Sequence, residues 1–315
     1  MGPLLLRPNY TSPVWSGWRI NRARGLRGEE PLGEAFDVSA HDVLVNVVEG
    51  GPFDGVALDV LLAEHRREIM GDLADDGVIQ VITMDAAESL SVQVHPDEAY
   101  AQAHEGDHEK TESWYILAAD PGAFIYCGTT TDDVEALRAA AADDTLGEKY
   151  GRKIPVAEGD FVLIPAGTIH ALGAGVFALE VGSLGFRTYR ICDWGRGREL
   201  HGEQGFAVLR TGLRPEPRHL GAFDPSGPAL LRRGVEHELF VSDVIDVRGS
   251  WRQDMDNRYE VLSCVGGSAS VRAAGVEVEL PYTRSALVPA SARSYVIEGT
   301  CRVLRSYAAR PGEIG

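Results

Sequence analysis

The chain has 315 residues, of which 44% are apolar, enough to bury the core of one large domain or two smaller ones. Its formal net charge of −17 argues against a nucleic-acid-binding protein, because a phosphate backbone requires a basic surface. No apolar run approaches the ~18 residues of a membrane span, and the four cysteines have no paired spacing. We therefore expect a cytoplasmic protein with reduced thiols and no nucleic-acid or membrane partner.

The amino-terminal part of the chain contains one strong helix signal. Residues 1–33 are rich in Arg, Gly and Pro, although LLLRPNY is compatible with a short strand. Apolar side chains then recur at helical spacing, at Leu58, Leu61, Leu62 and Ile69. Asp54 suits an N-cap position and Gly71 suits the position after a helix C-terminus, so we predict a helical segment near 57–70.

The rest of the chain is dominated by short strands rich in β-branched and aromatic residues, separated by turn residues. Residues 131–150 interrupt them with an Ala-rich helical segment that Thr131 or Asp132 caps. Residues 206–234 are rich in Gly, Pro and Arg and are predicted to form a connection. Residues 235–315 are again strand-like.

Two segments, Leu90–Leu117 and Gly159–Leu172, combine side chains that bind metals. They supply four candidate ligands, Gln93, His95, Glu112 and His170. Residues two apart on a strand share a face, so Gln93 and His95 point the same way. Alone, a histidine on a strand is more often a packed or surface residue than a ligand. Together, two imidazoles, a carboxylate and an amide oxygen are a plausible ligand set for Zn²⁺ or a similar divalent ion.

At this point the sequence resembles a known family, type I phosphomannose isomerase in its short bacterial form. The resemblance rests on SVQVHPDE, EKTESWYIL, PAGTIHALG and TYRICDW, and on WSG, GEAFDVSAH and HRREIMG in the same order. It covers roughly residues 4–200 and continues more faintly beyond. It implies that the four candidate ligands hold one zinc ion and that the substrate is a sugar phosphate.

The resemblance also implies catalytic roles for four further residues, Lys110, Arg190, His41 and Glu180. Lys110 lies two residues before Glu112, beside the metal, where a neighbouring cation lowers a lysine pKa. Arg190 either clamps a phosphate or enediolate oxygen, or forms a structural ion pair with Asp193. His41 matches a histidine suggested to assist ring opening, and Glu180 matches an active-site carboxylate. Ser91 shares the strand face of Gln93 and is a candidate phosphate donor.

Two departures from the family affect the expected substrate. The strand before SVQVH usually carries a lysine, and Ile82 occupies that place here. A stretch that is usually rich in Gln and Ser, with an Asp, reads VGSLGFRT here, from Val181 to Thr188. Arg187 in this stretch is either a new anion contact or a surface residue. Because a site built to bind hydroxyls discriminates strongly, these changes affect the choice of sugar more than metal binding.

An internal repeat predicts two similar β units. Trp114–Phe124 compares with Tyr259–Ala269, and Leu163–His170 compares with Leu287–Ser294. The second copy is shorter by about the length of the segment at 131–150. We therefore predict a mainly β fold of two cupin-type jelly-roll barrels with small helical insertions. The first barrel is residues 1–205 and binds the metal; the second is residues 235–315 and lacks the ligands.

The first hypothesis is a zinc-dependent isomerase that converts mannose 6-phosphate to fructose 6-phosphate through an enediol. A close variant is an isomerase or epimerase of another sugar. A cupin oxygenase with Fe(II) is a second class, which Gln93 and Lys110 argue against. The third class is a sugar sensor that keeps the metal pocket without turnover. Nothing in the sequence specifies the oligomeric state.

Overall fold

The computed structural model describes residues 1–74 and 76–314, and the fold is mainly β, as predicted. Two sheets form a first barrel. From edge to edge, the seven-stranded sheet contains β16 (Arg218–His219), β12 (Asp160–Ile164), β9 (Glu112–Ala119), β14 (Val176–Gly182), β7 (Gln80–Ala86), β3 (Glu34–Val38) and β2 (Asn9–Thr11). The five-stranded sheet contains β11 (Gly151–Pro155), β10 (Phe124–Thr129), β13 (His170–Leu172), β8 (Val92–Val94) and β15 (Tyr189–Cys192).

A single eight-stranded sheet forms the second barrel. In order it contains β17 (Leu230–Glu236), β18 (Phe240–Asp254), β22 (Ser294–Ala308), β19 (Glu260–Ala273), β21 (Ser285–Val288), β1 (Leu4–Arg7) and β6 (Val47–Glu49), with β20 (Val276–Leu280) paired to β19. A small separate ribbon contains β4 (Ala40–His41) and β5 (Leu44–Val45). The sheets agree with the two predicted jelly-roll units.

The helices are short and lie outside the sheets. They are α1 (Arg19–Ala23), α2 (Leu58–Met70), α3 (Glu98–His104), α4 (Val134–Ala142), α5 (Leu146–Tyr150) and α6 (Gly202–Val208), with 3₁₀ turns at Gly51–Phe53 and Ala290–Ala292. Across the described part of the chain, no helix combines the length and apolar character that a membrane crossing requires.

The two predicted helical segments are present, with different caps. The first is α2, but Asp54 does not cap it; its carboxylate accepts from the Gly50 amide instead. The second segment is divided into α4 and α5. Asp133 caps α4 by accepting from two backbone N–H groups, one residue beyond the predicted cap. A left-handed Asp144, with φ of 55°, separates the two helices.

Three apolar cores follow from the alternation of side chains along the strands. The first core fills the first barrel and includes Trp114 and Ile125, from its two sheets. The second barrel has its own core, which includes Leu262 and Val303. A third core lies between the barrels, where the outer face of the seven-stranded sheet packs against the eight-stranded sheet. The seven-stranded sheet is therefore buried on both faces.

Two amino-terminal strands do not follow the predicted division at residue 205. Strand β1 pairs with β21, with Leu4 opposite Leu287, and β6 extends the same sheet from β1. Both strands thus belong to the eight-stranded sheet, although their sequence lies within 1–205. At the other end, β17 begins at Leu230, inside the predicted connection. Short strands carry no sequence signal for which of two sheets they join.

The strand pairing shifts the predicted repeat by three residues (262 − 259) in its first segment. In the predicted register Trp114 matches Tyr259, but Trp114 faces the first core and Tyr259 faces the core between the barrels. Ile164 pairs with Glu112 in the first barrel and Val288 pairs with Glu260 in the second, so Trp114 corresponds to Leu262, which faces the core of its own barrel. An odd shift such as this one exchanges the two faces of a strand. The second segment needs no shift, since Ile164 and Val288 each face the interior of their own barrel.

Candidate active site

The strand register brings the candidate ligands together in the first barrel. In the five-stranded sheet, Gln93 pairs with His170 on one side and with Arg190 on the other. Directly paired residues of antiparallel strands share a face, so these three side chains form one row. His95 follows β8 directly, and Glu112 opens β9 in the opposite sheet. The cluster is therefore built from both sheets of the first barrel.

Three of these side chains converge on one point. Nε2 of His95 lies 3.1 Å from one oxygen of Glu112, and Nε2 of His170 lies 3.3 Å from the other. The ligand atoms of the three residues lie within 4.8 Å of one another, and all three residues are buried. Nε2 of Gln93 lies 3.2 Å from Nε2 of His170, and a 180° rotation of the amide would exchange its nitrogen for its oxygen. All four candidate ligands thus meet.

Backbone carbonyls fix the tautomer of both imidazoles. Nδ1 of His95 donates to the carbonyl of Arg187 over 3.0 Å, and Nδ1 of His170 donates to the carbonyl of Thr168 over 2.8 Å. Each Nε2 therefore carries a lone pair that faces Glu112. Burial lowers the pKa of His95 and lowers the pKa of His170 to about 4. Both imidazoles are neutral near pH 7, which is the form that binds a metal ion.

The cluster contains acceptors without matching donors. Among the described residues, no hydrogen bond of normal geometry reaches Nε2 of His95 or either oxygen of Glu112. Burial alone would raise the pKa of Glu112, but the charge of Lys110 holds it well below its usual range. Two neutral imidazole nitrogens and an ionised carboxylate around one point form a ligand set that suits zinc. The residues present therefore fit a divalent metal ion.

Lys110 and Glu180 form a charged pair beside this cluster. Nζ of Lys110 lies 2.9 Å from Glu180 and 3.1 Å from Glu112. Burial alone would lower the pKa of Lys110, but the two carboxylates raise it above its ordinary value. The lowering of this pKa expected from the sequence depends on the charge of a bound metal ion, which acts separately from the two carboxylates. Burial and the charge of Glu112 raise the pKa of Glu180 to about 7, against the opposing effect of Lys110.

Arg190 lies in the same row as Gln93, at the edge of the five-stranded sheet. Its Nη1 donates to the carbonyl of Glu199 over 2.8 Å. The carboxylate of Asp193 is engaged by Arg198, whose Nε donates to it over 3.0 Å, so the ion pair considered for Arg190 forms elsewhere. Burial and the charge of Arg198 lower the pKa of Arg190. Ser91 is buried just before β8.

The side chains of His41 and Arg187 pair with carboxylates outside the cluster. Nε2 of His41 lies 3.1 Å from Asp107, and the ring stacks on Phe186 with centroids 5.1 Å apart. The guanidinium of Arg187 pairs with Glu105 over 2.8 Å, and its side chain is 48% exposed. The contact from this residue to the ligand cluster is made by its carbonyl, which accepts from His95.

The two departures from the family lie side by side in the structure. Ile82 is buried and pairs directly with Glu180 on β14 and with Phe36 on β3. The ring of Phe36 stacks on Phe186, from the changed stretch, with centroids 5.9 Å apart. An apolar surface of Ile82, Phe36 and Phe186 therefore borders the charged site.

Sequence reasoning missed one residue of this region, Asp107. It lies in the turn EGDHE between α3 and β9, and its carboxylate accepts from His41 and from the backbone of Phe186 and Arg187. The only sequence signal for such a residue is an aspartate in a turn, which is common. Its importance depends on contacts some 80 residues away.

Comparison with known proteins gives a consistent result. Residues 234–308 match the family described as mannose-6-phosphate isomerase, cupin domain. The mannose-6-phosphate isomerase of Streptococcus mutans is 34% identical, over 97% of this chain and 98% of that protein. The crystal structure of the mannose 6-phosphate isomerase from Bacillus subtilis has a TM-score of 0.86 and 28% identity, over 98% of this chain and 100% of that one.

A zinc-bound mannose 6-phosphate isomerase structure shares the fold at 15% identity, with a TM-score of 0.77, over 98% of this chain and 100% of that one. The fold is therefore retained well beyond the range of clear sequence similarity. The full-length similarity above 30% identity settles the relationship. The chain is an enzyme of the type I mannose-6-phosphate isomerase family, within the cupin superfamily.

Proposed function

We propose that this protein is a zinc-dependent aldose–ketose isomerase that interconverts mannose 6-phosphate and fructose 6-phosphate through an enediol. The observation that carries the proposal is the buried cluster of His95, Glu112 and His170, with Lys110 and Glu180 beside it. The full-length similarity to mannose-6-phosphate isomerases supports the choice of substrate.

Four residues would hold one zinc ion: Gln93, His95, Glu112 and His170. When bound, the ion would supply Lewis acidity to the carbonyl and hydroxyl oxygens of the sugar. The chain's own contribution is to keep the ligands in the required protonation state. The carbonyls of Arg187 and Thr168 hold each Nδ1 proton, so each Nε2 is free to bind.

Glu180 is the proposed base of the proton transfer. With its pKa raised to about 7, it can take up and release a proton near neutral pH. Lys110 holds one of its oxygens over 2.9 Å, and the indole N–H of Trp114 holds the other over 3.3 Å. The proton leaves C2 of the aldose and is returned to C1, while the hydroxyl proton of C2 moves to the oxygen of C1. Lys110 stays protonated and stabilises the negative charge that develops on the sugar oxygens.

Arg190 and Ser91 are the proposed contacts of the phosphate or of the enediolate oxygens. Among the described residues, Nε of Arg190 has no hydrogen-bond partner and is buried, so this donor is free for an anion. Arg187 is a weaker candidate, because its guanidinium is engaged by Glu105. His41 is the proposed aid to ring opening; its Nε2–H is held by Asp107.

A second candidate substrate is a different, less polar sugar or sugar phosphate. The apolar surface of Ile82, Phe36 and Phe186 favours it, because it borders the site where family members carry polar side chains. An apolar surface excludes a substrate hydroxyl only weakly, but it cannot form a hydrogen bond to that hydroxyl. The sensor and oxygenase hypotheses gain no such support.

We place the enzyme in the cytoplasm. The four cysteines, Cys127, Cys192, Cys264 and Cys301, are all free and buried. Unpaired thiols suit a reducing compartment.

The test is an isomerase assay on the purified protein with a panel of aldose and ketose phosphates, run in deuterated water. We expect turnover of mannose 6-phosphate, one zinc per chain by mass spectrometry, loss of activity with a chelator and recovery with zinc. Deuterium at C1 or C2 of the product would indicate the enediol route. If the protein turned over only another sugar, the proposed substrate would be wrong and the proposed reaction type would stand.

His95→Ala and His108→Ala form a matched pair of variants. His95 is buried in the cluster, whereas the side chain of His108 is 53% exposed and pairs with Glu98. We expect His95→Ala to lose zinc and activity and His108→Ala to keep both. Full zinc content in His95→Ala would contradict the ligand assignment.

A further inference from the structure

Asp107 is a largely buried carboxylate, with only 9% of its side chain exposed. Four donors surround it. Its Oδ1 accepts from Nε2 of His41 over 3.1 Å and from the His108 amide over 2.7 Å. Its Oδ2 accepts from the amides of Phe186 and Arg187 over 3.0 and 3.1 Å. The carboxylate therefore ties together three segments that are distant in sequence.

Only an ionised carboxylate satisfies this environment, because all four neighbours are donors. Burial alone would raise the pKa of Asp107, but the hydrogen bonds from Phe186, His108 and His41 lower it. An asparagine has the same shape but accepts at one atom only. In either orientation of an asparagine amide, its NH₂ group would face two donors.

One branch of this arrangement leads to a candidate metal ligand. Asp107 holds the amide of Arg187, and the carbonyl of the same residue accepts from Nδ1 of His95. The position of this carbonyl determines which nitrogen of His95 carries the proton. The side chain of Arg187 points to Glu105 instead, so the link to His95 runs through the backbone.

The other branch leads to His41. Nδ1 of His41 accepts from the Val43 amide over 3.1 Å, so Nε2 carries the proton that Asp107 accepts. The ring is also stacked on Phe186, whose amide is held by the same carboxylate. One carboxylate thus fixes the tautomers of two imidazoles on different elements.

We propose that Asp107 is a positioning residue of the isomerase: it holds residues 186–187 so that the Arg187 carbonyl keeps His95 in its metal-binding tautomer, and it holds His41 in place. The inference rests on the proposed function, since it assigns Asp107 to the proposed metal site. Within the changed stretch from Val181 to Thr188, this carboxylate holds the backbone of residues 186–187.

Asp107→Asn tests the proposal. We expect zinc affinity, measured by competition with a chelator in the full-length protein, to fall about 10- to 100-fold, as is usual for groups that orient a ligating histidine. Excess zinc should restore the metal content but not the full kcat, because His41 also loses its partner. A purely structural role would lower the melting temperature and leave zinc affinity and the kcat of the zinc-saturated enzyme unchanged.

Two further variants complete the design. Asp143→Asn removes an exposed carboxylate at the carboxyl end of α4, outside the contacts of Asp107, and this variant should bind zinc like the wild type. Asp107→Glu keeps the charge and should lower zinc affinity less than Asp107→Asn does. If the asparagine variant folds poorly, the glutamate variant still tests the inference. Wild-type zinc affinity in folded Asp107→Asn would overturn the inference while the proposed function stands. A wild-type protein that binds no zinc would overturn the proposed function, and the inference with it.

Discussion

The two barrels bury their charges in opposite ways. In the second barrel, Glu260 accepts from Arg305 over 2.6 and 2.8 Å and from the Tyr295 hydroxyl over 2.7 Å. Asp243 accepts from Arg305 over 3.2 Å and from Arg233 over 2.7 Å. Each carboxylate oxygen of that network has a donor, and two carboxylates balance two guanidinium groups.

In the first barrel, neither oxygen of Glu112 has a hydrogen bond of normal geometry among the described residues, although Nζ of Lys110 lies 3.1 Å from one of them. Glu112 and Glu180 there face a single lysine, Lys110. A saturated and neutral network can only hold strands together. A cluster with unsatisfied acceptors and excess negative charge can bind a cation, so hydrogen-bond saturation distinguishes the structural network from the candidate catalytic one.

The most severe test removes a ligand from the unsaturated cluster. We expect Glu112→Ala to lose zinc and to lower kcat/KM on the order of 1,000-fold or more, since metal charge stabilisation is worth several kcal/mol. Metal analysis and the isomerase assay measure this, with exposed Glu148→Ala as the control. Retained zinc in Glu112→Ala would show that the comparison between the barrels misidentifies the site.

The corresponding change in the saturated network is Glu260→Ala. It leaves Arg305 with one of its two buried carboxylate partners, so we expect the free energy of unfolding to fall by about 3 kcal/mol. Folded molecules should keep their zinc and kcat. Urea unfolding and the assay measure the two effects, and Glu298→Ala, an exposed partner of Arg272, should cost under ~1 kcal/mol. A loss of kcat in folded Glu260→Ala would assign the second barrel a catalytic role.

Glu180→Gln separates proton transfer from metal binding. We expect zinc content to be unchanged and kcat to fall about 100-fold or more, because an amide cannot act as the base. KM should change little. A kcat close to that of the wild type would move the role of base to another group near the cluster.

The smallest expected effect concerns an ion pair at the edge of the second barrel. Hydrogen bonds from Arg258 lower the pKa of Glu313 from an ordinary value of 4.5 to about 2. The folded-state pKa is the lower one, so the pair stabilises the fold above pH 4.5 and loses this effect as the pH falls towards 2. Glu313→Gln should cost under ~1 kcal/mol at pH 7, since one partner is partly exposed. Urea unfolding at pH 7 and at pH 3 should show the difference shrinking with acidification.

The local parts of the site could be predicted from the sequence. The spacing of Gln93 and His95 places both side chains on one face of the strand. The family resemblance implied that Glu112 and His170 bind the same metal ion. The alternation along β14 also turns Glu180 inward, towards the first core. The placement of these side chains could be predicted because it depends on strand periodicity or on the quoted motifs; their roles stay predictions.

The remaining features depend on contacts between distant segments. The pKa of Lys110 depends on Glu180, which lies 70 residues away in the chain. The role of the Arg187 carbonyl has no side-chain signature, since any residue carries a carbonyl. The strands β1 and β6 are too short to show which sheet they join. The predicted alignment of the first repeat segment is displaced by three residues (262 − 259), because apolar residues occupy both faces of a strand that is buried on both sides.

The pairing of β1 with β21 has a consequence for biosynthesis. The strand Leu4–Arg7 is synthesised long before its partner Ser285–Val288. Until that partner is made, the outer face of the seven-stranded sheet, with Tyr115, Phe161 and Leu179, lacks the apolar side chains that the later strands contribute to the core between the barrels. Such non-local pairing slows folding and exposes nascent chains to aggregation. A polypeptide that stops before Ser285–Val288 should therefore aggregate more readily than the chain that contains this strand.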